Sequence, residues 1–484
     1  MQTRRDLYQA HRLMMQRVGM ALLAGEPDMP EPPTRRLNVL MFGGAMAAIL
    51  ILAGFGIWGL LSPGGATGLE KAGTLIIEKE TGTKYVFGQQ DGKLYPVANY
   101  TSARLILGTP QIERRTVSQA SLAKFDRGRP IGILGAPDSL PDAAHQVRSP
   151  WSICVQDAPT SQGGTRSYSS LVVGRSVGGR TLGDGEAVVV RGGGQAWVVW
   201  RNQRMRLPAA LVVPLVGTQQ PPEVSTTWLN AVPQGPDFQP PPVPGRGELV
   251  PGPGGQKAAV GTFYVVRTVG GDEHWYVLMN DGLAPIKQSE GWLLQNDPES
   301  AKAYKGGRPE PISLAPATAN ASPRSSQKPS ADGMPETMPK VAIYDPATPL
   351  CSVYADTTRG SLDARVSVGG TVPPPNQAAP AAAAGTGKVA VVDQVVLPPG
   401  SGALVGLLPG ANQLNAVSSY SVLTDQGLRF PVPSADVATK LGFDVKKVAP
   451  VPANLLSLIP VGPSLDPQQA SLPLTYPRSA GGQP

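Results

Sequence analysis

Histidine is nearly missing from this chain. Its three copies, His11, His145 and His274, stand in no metal-ligand spacing. Cysteine is as scarce. Cys154 and Cys351 are the only two, and they lie too far apart to form a zinc pair. No metal and no cofactor are expected. Charge is sparse too: Asp, Glu, Lys and Arg make up 16% of the chain, and a net charge of +7 is spread over 484 residues. No basic block is long enough to follow a phosphate backbone, so nucleic acid is excluded as a partner. The mild basic excess suits a surface near anionic lipid or an anionic cell wall. What is abundant is Gly, with 57 copies, and Pro, with 52. That composition lies just under the low-complexity range. It implies several small folded units joined by Pro/Gly-rich connectors, with no single large core.

One uncharged apolar run stands out, Leu37 to Leu61. As a helix it is about 37 Å long, enough to cross a hydrocarbon core of about 30 Å with some tilt. Arg4, Arg5, Arg12, Arg17, Arg35 and Arg36 precede it. Ser62 to Leu69 carries no charge, and the first cation beyond is Lys71. The positive-inside bias places the N-terminus in the cytoplasm and the bulk of the chain outside the cytoplasmic membrane. The apolar core is too long for a signal peptide, and the Leu-Leu-Ser-Pro-Gly-Gly that follows is a poor cleavage site, so an uncleaved anchor is expected. Before the span, Leu7, Ala10, Met14, Val18, Ala21 and Leu22 fall near one face of a helix from Arg4 to Leu23. Such a helix rests on lipid headgroups or docks a cytoplasmic partner, and the sequence leaves both open. Both cysteines lie beyond the span, in a space that permits oxidation. A bridge and two buried thiols are both compatible with that.

Four stretches beyond the span share one pattern: an apolar strand opened by an aromatic, a polar turn, then a second short strand. They begin at Tyr85, Trp197, Trp275 and Tyr420. The turns are Gln89–Gly92, Asn202–Arg204, Asn280–Gly282 and Asp425–Gly427. Asp-Gly between apolar runs is a strong hairpin signal, because glycine adopts positive φ without steric cost. Their irregular spacing argues against a tight solenoid. The expected fold is α+β: an amphipathic helix, one transmembrane helix, then four small modules around a central β-rich domain. Boundaries are expected at 1–36 (cytoplasmic helix and linker), 37–61 (span), 70–115 (first module) and 116–185 (central region). They continue at 186–250 (second module), 258–305 (third module), 306–388 (Pro-rich linker and more of the central region), 389–447 (fourth module) and 448–484 (tail). The Pro-rich intervals 221–253, 309–339 and 373–380 are expected to be extended or disordered. The tail is expected to fold back over the modules and then fray.

Two motifs invite a catalytic reading and fail it. Gly174-Arg175-Ser176-Val177-Gly178 has the spacing of a nucleophile elbow, but Gly179 to Gly185 cannot form the helix an elbow needs. Gly385-Thr386-Gly387-Lys388-Val389 suggests a phosphate loop. The glycine required six residues before the lysine is Ala382, and the required Ser or Thr after it is Val389. No catalytic residue is expected.

The chain resembles the EccB family, a core membrane component of actinobacterial type VII secretion systems. The resemblance rests on Leu94-Tyr95-Pro96-Val97-Ala98-Asn99-Tyr100-Thr101-Ser102-Ala103-Arg104-Leu105-Ile106-Leu107-Gly108, and on Gly132-Ile133-Leu134-Gly135-Ala136-Pro137. Trp151-Ser152-Ile153-Cys154 and Leu229-Asn230-Ala231-Val232-Pro233 extend it. It implies four repeat domains around a centre pinned by one disulfide, which Cys154 and Cys351 match. It also implies that Arg12, Leu13, Arg17 and Leu22 belong to a partner-docking helix. Here the family departs in detail, with Leu13 where an aromatic is usual and Ala10-His11 where Gly-Tyr is usual. The implied function is a structural subunit that scaffolds an inner-membrane complex with the EccC ATPase, EccD and EccE, self-associates there, and reaches into the periplasm-like space. The family repeat is similar to a cell-wall-binding lysin subunit, so peptidoglycan binding is the alternative reading. Some family names carry the word ATPase, which makes ATP hydrolysis a second alternative; the motifs do not support it.

Overall fold

The computed structural model describes residues 3–25, 33–61, 68–109, 111–160, 163–360, 364–374, 390–410, 412–414 and 417–475. The first helix, Arg4–Ala24, begins at Thr3, whose N–H donates to the Asp6 carboxylate at 3.0 Å, and ends on Gly25 at φ 72°. That glycine supplies the left-handed residue with which a helix stops. The second helix, Pro33–Leu61, contains the one stretch among the described residues that is long and apolar enough to span a membrane, Leu37–Gly59. Every side chain from Leu37 to Gly59 is exposed. An uncharged, predominantly apolar surface of that length is stable in lipid and not in water.

Beyond the span stand four four-stranded sheets, and all share one strand order. In the first, Thr74–Glu78, Lys84–Phe87 and Leu94–Val97 form an antiparallel meander. The helix Tyr100–Leu107 then carries the chain across, so that Glu113–Val117 pairs parallel with the first strand. Parallel pairing requires such a crossover, because a tight turn can only reverse the chain. The third module repeats this with Phe263–Arg267, Glu273–Met279, Gly282–Ile286, the helix Gln288–Gln295 and Ile312–Ser313. The fourth repeats it with Gly402–Leu408, Ser418–Thr424, Arg429–Pro431, the helix Ala435–Lys440 and Ala449–Pro452. In the second, Glu186–Gly192, Gln195–Trp200 and Gln203–Leu207 lead to the helix Ala209–Val216. The parallel edge there is split. Glu223 pairs with Arg191, and Lys340–Val341 pairs with Glu186 and Ala187.

Each module then closes in the same way, which the strand–turn pattern did not disclose. After the parallel strand comes a second short helix: Gln119–Leu122, Thr226–Ala231, Pro316–Ala321 or Ala453–Leu456. The chain then returns to the third strand and takes both backbone groups of one residue. Leu94 N–H donates to Asp126 O at 2.8 Å and its carbonyl accepts from Gly128 at 2.9 Å. Arg204 is held the same way by Pro233 and Gly235, Leu283 by Pro323 and Ser325, and Arg429 by Pro460 and Gly462. Three of these return segments begin with proline, whose missing N–H costs nothing where only its carbonyl is used. Those at Pro233 and Pro323 lie in the Pro-rich intervals 221–253 and 309–339 that composition alone marks as linkers. The stretch 306–388 likewise contributes Ile312–Ser313 to the third module, Lys340–Val341 to the second, and two central strands. The third module is therefore inserted within the chain of the second.

The centre is a six-stranded sheet ordered Gln394–Val396, Thr165–Val173, Trp151–Pro159, Leu350–Tyr354, Arg365–Val368, Arg180–Thr181. Its apolar face is continuous with two modules. Trp151, Ile153 and Leu171 share one cluster with Val190, Val199 and Trp228 of the second module and with Ala403, Val405 and Leu455 of the fourth. Trp228 Nε1 donates to Ile153 O at 3.1 Å, so this buried indole has its polar partner. Composition suggests separate small units; the cores instead merge through the centre. The chain beyond Ala453–Leu456 folds back over the modules. Leu465 and Ala470 are fully buried, and Leu474 N–H reaches Pro130 O at 2.9 Å. Residues 476–484 lie outside the described residues.

Candidate functional site

The residues that invite a catalytic reading have ordinary structural surroundings. Ser176 follows the strand Thr165–Val173, and its Oγ accepts the Gly178 N–H at 3.3 Å. Gly178 and Gly179 both have positive φ, and Arg180–Thr181 is a strand, so no elbow helix follows. His145 is exposed and pairs with Asp142 at 2.7 Å. His274 sits on a strand opposite Val266, and His11 is exposed on the first helix. The Gly385–Val389 run lies outside the described residues. Among the described residues no group of three His, Cys, Asp or Glu is placed to hold a metal.

What the centre does contain is a covalent clasp. Cys154 and Cys351 lie directly opposite each other on neighbouring antiparallel strands and are bonded, with Cα atoms 4.0 Å apart. Both are buried, beside Val172, Val177 and Val372. The bond joins the two strands that bring the early and late halves of the exterior together. Asn202, at the turn of the second module, is buried against the same strand. It bonds the hydroxyl of Ser352, and its Nδ2 donates to Tyr354 Oη at 3.5 Å. Arg201 and Asn202 both adopt positive φ (46° and 57°), the geometry of a two-residue hairpin turn.

Two of the four opening aromatics, Tyr85 and Trp197, and Tyr276 beside the third, carry stacked arginines. Arg127 stacks over Tyr85 at 5.1 Å, Arg204 over Trp197 at 5.2 Å and Arg324 over Tyr276 at 4.9 Å. In the first and third modules the arginine comes from the return segment, which ties it to the second strand. Each stack contributes on the order of 0.5–1 kcal/mol at such sites. Tyr85 also donates to the buried Glu78 at 3.1 Å. Burial and that bond raise its phenol pKa above the usual 10.0, against the pull of Arg127.

The proposed docking residues lie along Arg4–Ala24, and all four are exposed, Leu13 to 57% and Leu22 to 83%. At about 100° per residue they do not share a face. Leu13 and Arg17 occupy one flank, one turn apart; Arg12 points away from them, and Leu22 lies one turn beyond Val18 on the apolar side. The continuous apolar stripe is Leu7, Met14 and Val18, which are 65%, 67% and 47% exposed.

These features define a class: a membrane-anchored protein with one span, an amphipathic helix before it, and a disulfide-clasped exterior built from a repeated α+β unit. Residues 1–475 match the family model for the type VII secretion system ESX-1 transport TM domain B, and the chain belongs to that family. Among its relatives is the ESX-5 secretion system ATPase EccB5 of Mycobacterium tuberculosis, 28% identical, over 94% of this chain and 90% of that one. The ESX-3 secretion system ATPase EccB3 of the same organism is 26% identical, over 95% and 88%. A chain of an intact ESX-5 inner membrane complex matches all of this chain and 98% of its own, at 26% identity and a TM-score of 0.64. A chain of the ESX-5 periplasmic assembly matches 85% of this chain and 96% of its own, at 26% identity and 0.62. An EccB3 dimer from the ESX-3 core complex, 23% identical over 82% of this chain and 99% of its own, shares the fold at 0.60.

Proposed function

We propose that this chain is a non-catalytic scaffold of a type VII secretion machine, joining a membrane complex through its N-terminal helix and span and self-associating through its exterior. The family match over residues 1–475 carries this reading. Solved relatives stand in an inner membrane complex and as a dimer, and the present chain spans nearly their whole length. The N-terminus faces the cytoplasm and the modules the periplasm-like space. The arginines before the span and a disulfide beyond it both support that orientation, because the bond needs an oxidising compartment. The exposed apolar stripe of Arg4–Ala24 has no partner within the described chain and is the surface offered to EccC, EccD and EccE. Catalysis is assigned to another subunit, since the Gly385–Val389 run lacks the glycine and hydroxyl that phosphate binding requires.

Recovery of membrane partners by a tagged chain lacking residues 1–36 tests this. The scaffold reading expects the full chain to bring down membrane subunits and the shortened chain to lose them. Equal recovery by both would remove the docking role.

A further inference from the structure

In each module the return segment covers the third strand, so the parallel fourth strand is the outer edge of the sheet. Each copy is a control for the others. An open edge offers unpaired N–H and C=O groups to a foreign strand, and proteins block such edges. Three of the four are blocked here. In the second module the edge is split into two pieces, with Pro221 and Pro222 beside one of them. In the third it is Ile312–Ser313, preceded by Pro311. In the fourth it reads Ala-Pro-Val-Pro. A parallel ladder uses every second residue of a strand. Only Ala449 and Val451 have an N–H to give to Gly402–Leu408, so the outward positions are Pro450 and Pro452.

The first module differs. Its edge, Glu113–Val117, is five residues long and has no proline. Glu113 N–H donates inward to Gly73 O at 3.1 Å, and Val117 O accepts inward from Lys79 at 2.9 Å. Inward bonding therefore falls on Glu113, Arg115 and Val117. The N–H and C=O of Arg114 and Thr116 point outward and meet no backbone partner among the described residues. Both side chains are exposed. The edge is also basic. Arg115 is paired with Glu113, but Arg114 has no ion pair among the described residues; its Nη2 donates to Tyr100 Oη at 2.8 Å. Lys79, exposed at the far end of the ladder, has none either.

We propose that this edge takes a fifth strand from another polypeptide, an extended segment with carboxylate side chains, held by main-chain hydrogen bonds to Arg114 and Thr116. The outward backbone groups select an extended chain. The uncompensated charges of Arg114 and Lys79 select an acidic one. Charge on an edge deters apolar strands, which narrows the partner further. The same charges argue against a second copy of this chain. This edge laid antiparallel on itself sets Arg114 and Arg115 of one chain against those of the other, and like charges across strands destabilise a sheet.

The probe is a short capped peptide alternating threonine and glutamate, fluorescently labelled and titrated into the full-length chain in detergent. One control peptide is methylated on its backbone nitrogens. A second has lysine for glutamate. Anisotropy should show saturable binding of the acidic peptide and binding about tenfold weaker for either control, which loses its hydrogen bonds or its charge pairs. Thr116→Pro removes an outward N–H and no inward one, as the prolines do on the fourth module's edge, and should weaken binding by a similar factor. Arg114→Glu, at an exposed side chain, should do the same, and it keeps the test valid where the proline variant does not fold. Equal binding of the methylated peptide, or undiminished binding to folded Thr116→Pro, overturns strand addition. Equal binding of the lysine peptide, or undiminished binding to Arg114→Glu, overturns the acidic partner. No saturation up to about 1 mM peptide overturns the site. Because the probe is a free peptide, each of these failures leaves the docking role of helix Arg4–Ala24 standing.

Discussion

Arg104, in the crossover helix of the first module, donates through Nη2 to the carbonyl of Lys440 in the crossover helix of the fourth, at 3.2 Å across 336 residues of chain. Gly442 makes room for it: a Cβ there would lie 2.8 Å from Arg104 Nη2. The next residue, Leu105, is buried in the fourth module's own core with Phe430, Leu441 and Leu465. The two ends of the exterior therefore fold as one body. Leu105→Ala should cost about 2–5 kcal/mol, the range for a buried leucine. Hydrogen exchange should show the strands Thr74–Glu78 and Gly402–Leu408 losing protection together. Loss confined to the first would show that the shared core does not couple them.

The disulfide should matter through the loop it closes. With the cysteines 197 positions apart in sequence, the chain-entropy model assigns it about 5 kcal/mol, an upper figure since measured bridges often give less. Reduction, or the double change Cys154→Ser with Cys351→Ser, should lower the thermal midpoint of the exterior. An unchanged midpoint would mean the merged cores hold the centre without the bond.

Much of this was legible in the sequence. The span follows from an uncharged run, and the hairpins of the four modules from polar turns between apolar strands, with Asp-Gly in the first and third. The parallel fourth strands were not legible. Ile312–Ser313 and Lys340–Val341 are only two residues each, too short for an alternating pattern to show. The return segments were hidden for a related reason. Each pairs only through isolated bridges and not through a continuous strand, and three begin with proline. The Cys154–Cys351 bridge was implied by the family resemblance and is present; the residues by themselves left a bridge and two buried thiols open, because the register depends on strands far apart in sequence. The arginines stacked on Tyr85 and Tyr276 come from those same return segments, so only the aromatics could be seen in advance.

The third module's return segment gives a local test. Gly282 has φ 140°, and a Cβ there would stand 2.4 Å from Pro323 O, the carbonyl that accepts the Leu283 N–H. Gly282→Ala should therefore destabilise the module by about 1–3 kcal/mol, as backbone strain and displacement of a packed segment do. Gly271→Ala, also at positive φ but with nothing within 4 Å, should cost less. Equal urea midpoints for the two variants would deny the return segment its structural role.

Asp157 should make stability depend on pH. Burial, and secondly the charge of Asp345, raise its pKa above 3.8. A raised carboxyl pKa means the folded state binds the proton more tightly than the unfolded one. The ionised group thus destabilises the fold at neutral pH. This cost fades as pH falls through the raised value and is gone below about 3.8, where the unfolded group is protonated too. Asp157→Asn should raise the neutral-pH melting temperature and lose that advantage in acid. A variant less stable at neutral pH would reverse the sign.

Asp281 works in the opposite direction. Ser325 and Ser326 of the return segment hold its carboxylate with hydrogen bonds of 2.5 to 2.9 Å and lower its pKa to about 2. Its contribution is present above the unfolded value of 3.8 and is lost as pH falls toward about 2. Asp281→Asn should lower stability at neutral pH and leave it unchanged in strong acid. The same loss at both pH values would assign the effect to packing instead of charge.

The central claim is that this chain is a building part of a secretion machine anchored by one helix. The size of the particle released when the tagged full-length chain is extracted from its own membranes with mild detergent tests it most directly. The account predicts a large assembly containing several copies of the chain together with other membrane subunits. A lone monomer, with no other membrane protein attached, would contradict it.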